Sequence, residues 1–421
     1  MEQLQAIERH IQDGDVEALG QVIDKLSKST DFDMLYESAT LLASYGFMEE
    51  ADRLFATLLM HLPDEAQLKI DRATTLMELG NEDEALLLLT EVGPEKEEYV
   101  QALLVLGDYY HMTGLAETAL EKVKEAYALL PNEPVIRFAY AELLLDSGKY
   151  GEAARLYLDL KEDVQEMGGV SIISRLAETY SAGAAYEEAI PYYEKMLKER
   201  TVPDTLFSAA FAYYQCRNAE RAILLLENLI EIDPDYFSAY MLAGQAYSLS
   251  GEDKLAYEMY ISGIKRDEYD KELQLTAGKT ALKMGLPKEA ELHLKEALVL
   301  DPEYSEALIT LASLYNELEY DEELGELLTH ATDELDNNSL LESFKAYLDE
   351  RLERYKEAYE SYSKAYVGMK DDYDFLAKYA NFLVEEGKRS EAIEVVKRLV
   401  SLFPEDQYWR AFLEAQTDEE V

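Results

Sequence analysis

The chain has 421 residues, 48% of them hydrophobic, with 87 Asp and Glu against 39 Lys and Arg and a formal net charge of −48. That apolar content supports a packed core, so the acidity does not mark a disordered chain; a surface of this sign repels nucleic acid and anionic membranes and favours basic or neutral partners. The lone cysteine, Cys216, excludes an internal disulfide framework and fits a reducing cytosol.

At the N-terminus, MEQLQAIERHIQDGD is charged throughout and holds no apolar h-region, so no signal peptide is expected. No later run of about 18 apolar residues would span a membrane. A small residue then recurs at Ala18, Ala51, Ala85, Ala119, Ala153, Ala189, Ala222, Ala256, Ala290, Ala358 and Ala392, with Leu324 filling one slot. A fixed period of this length, mostly 34 residues, marks a repeat array. Units begin near residues 1, 32, 66, 100, 134, 170, 203, 237, 271, 305, 339 and 373.

The unit starting at Val100 shows the pattern. Leu103, Leu106, Gly107 and Tyr110 (positions 4, 7, 8 and 11) fall three or four apart and form one helical face. Ala119, Val123 and Ala126 (positions 20, 24 and 27) do the same for a second helix. Glycine at position 15 (Gly80, Gly114, Gly148, Gly251, Gly285, Gly387) sits where the first helix ends in a left-handed turn. Pro63, Pro131, Pro234, Pro302 and Pro404 stop the second helix. The stretch LGDYYHMTGLAETA matches no phosphate-binding fingerprint, so its Gly107 and Gly114 read as packing and turn residues.

This register resembles the tetratricopeptide-repeat family, with Leu, Tyr or another residue usually replacing the Trp of the family pattern. The resemblance implies an all-α, right-handed superhelical solenoid of about twelve helix-turn-helix repeats and about 25 helices, with no sheet. Small residues at positions 8 and 20 would let helix A and helix B of one unit approach. The acidity is also similar to that of YpiA-like bacterial repeat proteins. The expected organisation is a divergent N-terminal capping repeat over 1–31, repeats over 32–167, a candidate hinge at Gly168–Gly169, repeats over 170–404, and a capping helix and tail over 405–421. In that last segment Asp406 to Gln416 reads as an amphipathic helix burying Trp409, the only Trp. Pro191 should bend a B helix. Glu342, Lys345 and Asp349, at usually apolar positions, and Leu324 in an alanine slot make packing around the eleventh unit weak.

The resemblance further implies that helix A lines a concave face, with positions 2, 5, 9, 12 and 13 in the groove. Position 5 is an apolar row: Tyr36, Ile70, Leu104, Phe138, Phe207, Met241, Leu275 and Ile309, interrupted by Ser174 and followed by Ser343 and Ala377. It reads either as packing between neighbouring A helices or as a trough for a peptide or helix. Beside it stand thirteen carboxylates, including Asp108, Glu142, Asp146, Glu178 and Asp204, against Lys279, Lys283 and Arg351. No adjacent trio presents the family's clamp for an acidic C-terminus. The five histidines are scattered, with no HExxH and no Cys cluster, so no metal, cofactor or catalytic residue is expected. The reading is a cytoplasmic, non-enzymatic scaffold binding a basic or amphipathic segment of another protein. It takes no nucleic acid, inserts in no membrane, and is compatible with homo-oligomers. The alternatives are a self-assembling structural solenoid and a peptide-sensing regulator.

Overall fold

A computed structural model describes residues 2–331 and 338–418. The end of the tenth expected repeat and the last residues of the expected tail lie outside that range. The described chain is helical almost throughout, and its contacts cluster into two compact units, Met1–Thr201 and Val202–Val421.

The first unit pairs α1 (Glu2–Asp13) with α2 (Val16–Leu26), α3 (Phe32–Ser44) with α4 (Met48–His61), and α5 (Ala66–Glu78) with α6 (Glu82–Thr90). It continues with α7 (Tyr99–Met112) and α8 (Ala116–Leu129), α9 (Pro134–Asp146) and α10 (Tyr150–Asp163), and α11 (Ile172–Ala182) and α12 (Tyr186–Glu199). The second unit pairs α13 (Pro203–Gln215) with α14 (Ala219–Ile232), α15 (Phe237–Leu249) with α16 (Asp253–Ile264), and α17 (Lys271–Lys283) with α18 (Pro287–Leu300). Then come α19 (Ser305–Glu317) and α20 (Asp321–His330), α21 (Ser339–Arg351) and α22 (Tyr355–Met369), α23 (Tyr373–Glu385) and α24 (Arg389–Leu402), and a single α25 (Gln407–Asp418).

The repeat register places the core. From Ala51 onward the position-20 residues are fully buried, Leu324 included. So are the position-8 residues facing them, from Ala39 through Gly107 and Gly244 to Ala380. At Gly107 an added Cβ would lie 2.5 Å from Val123 Cγ2, which shows why the slot stays small.

Position 15 closes every first helix from α3 onward with a left-handed residue. In the Gly114 turn the Leu115 N–H donates to the Tyr110 carbonyl at 2.8 Å, a bond that returns in the other turns, for instance Lys388 to Leu383. This is a Schellman cap, which needs positive φ. Ala184, Arg217, Glu319 and Glu353 hold φ of 54–57° in the same slot, where a side chain costs about 1–2 kcal/mol. The turn is therefore imposed by the pair packing and not only by glycine.

Two departures from the sequence reading have local causes. The unit-to-unit step at 134–170 carries two extra residues, and a hairpin takes them up: β1 (Glu166–Met167) pairs antiparallel with β2 (Val170–Ser171). Gly168 and Gly169, at φ 57° and 81°, form its two-residue turn inside the first unit. The second departure is in the eleventh repeat, where Glu342 and Asp349 are buried among Leu341, Phe344 and Leu348. Their charges are met from α22 and its preceding turn, by Lys364 at 3.1 Å and Arg354 at 3.6 Å.

α25 starts at a cap made by Asp406, whose Oδ1 accepts from the Tyr408 and Trp409 N–H groups at 2.9 and 3.1 Å. It packs on α24 and buries Trp409. No helix among the described residues is long and apolar enough to cross a membrane.

Candidate binding faces

The position-5 row lies on the first helices of the repeats, as the register demands, but its members are not equivalent. Ile70 and Leu275 are buried in the core and offer almost no surface. Tyr36, Leu104 and Phe138 in the first unit, and Phe207, Met241 and Ile309 in the second, are half-buried. Tyr36 lines a cavity of about 330 Å3 with Phe32, Leu58, Leu62 and Leu68. Phe138 meets Tyr157 edge to face at 6.2 Å, and Phe207 packs on Tyr236 at 5.2 Å.

Several of the acidic residues expected to flank this row are engaged within the protein, Glu142, Asp146, Glu178 and Asp204 among them. Glu142 accepts a hydrogen bond from the buried Tyr157 hydroxyl and pairs with Arg175 Nη2 at 3.0 Å. The same guanidinium holds Glu178 at 2.8 Å through Nη1, and Ser174 Oγ donates to Glu178 at 3.0 Å. Asp146 faces His111 Nε2 at 3.0 Å, and Asp204 accepts from the Tyr236 hydroxyl at 3.1 Å. Asp108 has no such partner among the described residues; desolvation raises its carboxyl above the ordinary value, and His111 opposes that shift. Arg175 sits at position 6, outside the expected groove positions. A basic residue three before Glu178, on the same helical face, was the available signal.

Tyrosine does much of the work that scarce cations would otherwise do. Phenol hydroxyls donate to carboxylates from Tyr36 to Asp71 at 2.8 Å, Tyr247 to Glu227 at 2.5 Å, Tyr315 to Glu291 at 2.9 Å, and Tyr359 to Glu391 at 2.7 Å. A neutral O–H satisfies a carboxylate without the desolvation cost of a second ion. Burial, reinforced by the Asp71 hydrogen bond, pushes Tyr36 up to about 12; burial does the same for Tyr315 and Tyr347.

A pH dependence follows with a definite sign. Unfolded phenols ionise near 10, so above that pH the unfolded chain binds fewer protons than the folded one and stability falls as pH rises. The contribution of these tyrosines is intact below about pH 10 and lost between 10 and about 12. Phenolate absorbance should show a lagging fraction that ionises together with loss of helical circular dichroism. Titration of all 32 tyrosines near pH 10 with the helices intact would contradict these bonds.

In the second unit the row meets a larger cavity. About 630 Å3 open between α19, α21 and α23, lined by Ile309, Phe344, Tyr347, Met369, Glu317 and Asp374 among others. Positions 5 and 13 of one repeat, 6 and 9 of the next and 2 of the one after thus share one surface. Among the described residues no group of three or more His, Cys, Asp or Glu is arranged to hold a metal ion.

Paired helices repeating every 34 residues, with small residues at 8 and 20 and a left-handed cap at 15, define a tetratricopeptide-repeat solenoid. The YpiA-like tetratricopeptide repeats match residues 111–164, the YpiA-like C-terminal tetratricopeptide repeats match 345–406, and the general tetratricopeptide repeat matches 172–204. The TPR repeat-containing protein YpiA of Bacillus subtilis (strain 168) is 36% identical over 365 residues, covering 87% of this chain and 86% of its own. The chain belongs to the YpiA-like tetratricopeptide-repeat family. Cellulose synthase operon protein C of Pseudomonas fluorescens (strain SBW25) is 25% identical over 335 residues, covering 76% of this chain and 24% of its own. Among solved structures, YrrB, described as a TPR protein with an unusual peptide-binding site, is 17% identical. It covers 44% of this chain and 95% of its own, at a TM-score of 0.36. Tetratricopeptide repeats generally build protein–protein interaction scaffolds.

Proposed function

We propose that this chain is a non-enzymatic scaffold of the bacterial cytoplasm that binds a basic, partly apolar segment of another protein on the faces of its first helices. One observation carries the reading: half-exposed apolar side chains recur at position 5 in both units, beside a large excess of carboxylates. Apolar burial would supply most of the affinity, at about 25 cal/mol per Å2. The negative field would set the on-rate and the choice of partner. The lone cysteine supports the cytoplasmic part of the reading.

The test is affinity capture from the native cytosol at low and high salt, followed by kinetics on the captured partner. Its association should slow as salt screens charge beyond about 8 Å. Phe138→Ala with Phe207→Ala should speed dissociation. A partner that binds this double variant like the parent sits on another surface, and the proposal fails.

A further inference from the structure

The net charge invites the view that every groove carboxylate attracts a basic partner. The hydrogen bonds say otherwise. In the first unit Glu142, Asp146 and Glu178 already have cationic or imidazole partners, which leaves Asp108 without one among the described residues. In the second, Asp204 is held by a phenol and Glu306 by Lys279. A carboxylate whose oxygen is already held inside the protein offers less to a ligand's cation than one left free.

The cavity between α19, α21 and α23 combines free carboxylates with the larger space, about 630 Å3 against about 330 Å3 for the one at Tyr36. Its apolar wall is Ile309, Phe344, Tyr347 and Met369. Glu317, at the end of α19, and Asp374, in the first turn of α23, both line it and are exposed. Neither side chain makes an ion pair or hydrogen bond among the described residues. Of the other charged lining groups, Asp372 caps α23 by accepting from the Phe375 N–H at 2.8 Å, and Lys378 lies 4.1 Å over the Tyr347 ring. The lining therefore carries three carboxylates against one ammonium, with two of the carboxylates uncommitted. The volume of about 630 Å3 falls within the roughly 300–1,000 Å3 of typical ligand pockets.

We infer that this cavity is the principal anchoring subsite, and that it takes a segment of a partner protein bearing a long apolar side chain flanked by lysine or arginine. The apolar chain fills the space over Phe344 and Met369, while the cation reaches Glu317 or Asp374. The inference rests on the proposed groove reading and moves its charge recognition from the first unit to the second. The complementarity is that of a cation with uncommitted carboxylates, and it opposes an acidic terminus, which would face them unpaired.

The probe is a fluorescein-labelled, end-blocked peptide alternating lysine and leucine, with Glu-for-Lys and Ser-for-Leu controls, read by anisotropy on the full chain. The parent should bind the Lys-Leu peptide better than both controls. Glu317→Gln with Asp374→Asn should weaken it about tenfold at low salt, and less at high salt. Met369→Ser should weaken it at both. Lys378→Glu, which adds negative charge at the same wall, should tighten it. Glu142→Gln with Glu178→Gln in the first unit should leave it unchanged. If the first-unit pair weakens binding and the cavity variants do not, the subsite is wrong while the groove reading stands. No binding of the Lys-Leu peptide to the parent, or equal binding of all three peptides, overturns both.

Discussion

Gly244→Ala is expected to destabilise the second unit by about 1–3 kcal/mol, the usual range for overpacking a tight core. The new Cβ would stand 2.2 Å from Tyr260 Cε1 and 2.5 Å from its Cζ, both in a ring that is only 2% exposed. A ring edge cannot yield as a flexible chain end does, so α15 and α16 must separate. Gly107→Leu should act similarly in the first unit, because Val123 is β-branched, stiff at χ1 and buried. The control is Gly151→Ala on α10, where nothing lies within 4 Å; there helix propensity alone should give up to about 1 kcal/mol of stabilisation. Repeat arrays lose stability locally, so hydrogen exchange should locate each loss at its own helix pair. If Gly244→Ala exchanges and melts like the parent, the assigned contact between first and second helices is wrong.

The same contact explains why the fold was legible in the sequence. Position 20 is kept small because position 8 faces it, and the demand returns at every repeat but the one holding Leu324, so the sequence shows a period on its own. Helix starts at residues 32, 66, 134, 203, 237, 271, 305, 339 and 373 coincide with the unit starts read from that period. The left-handed cap was only partly visible. Glycine advertises positive φ, whereas Arg217 and Glu319 adopt it under tertiary constraint and leave no compositional trace. The hairpin was likewise visible only as a longer step with a Gly-Gly pair, since two-residue strands carry no alternating pattern to read.

The candidate faces were less legible, for a physical reason. Periodicity says which side of a helix a residue occupies, but not what the adjacent helix lays over it. Ile70 and Phe138 share position 5, yet one is covered and the other half-open. Counting charges has the same weakness, because it treats Glu142 and Glu317 alike. Arg175 and Tyr157 meet the first at contact distance, whereas among the described residues no hydrogen bond or ion pair holds the second.

Removing the C-terminal helix by ending the chain at Pro404 is expected to make the protein associate and to loosen its last repeat. α25 lays Trp409 over the terminal core, 3% exposed, with Phe412 at 5.7 Å from it and Leu413 partly buried beside them. An aromatic ring of that kind buries about 150–250 Å2, worth roughly 4–6 kcal/mol at 25 cal/mol per Å2 before entropy is subtracted. The deletion also removes Asp406, which accepts from the Tyr373 hydroxyl at 2.6 Å and so ties the start of α25 to α23. A solenoid's terminal face is an apolar surface waiting for another repeat, and uncovering it invites a second copy. The high like charge of the chain opposes that association at low salt, so aggregation of the truncated form should grow as salt is added, opposite to the salt response expected of partner binding. Trp409→Ala keeps the charge and the helix while creating a cavity, and should cost about 3–5 kcal/mol locally. Light scattering would report the association, and hydrogen exchange across 373–402 the loosening. A truncated chain that stays monodisperse at high salt, with exchange in α23 and α24 unchanged, would show that α25 is not a cap.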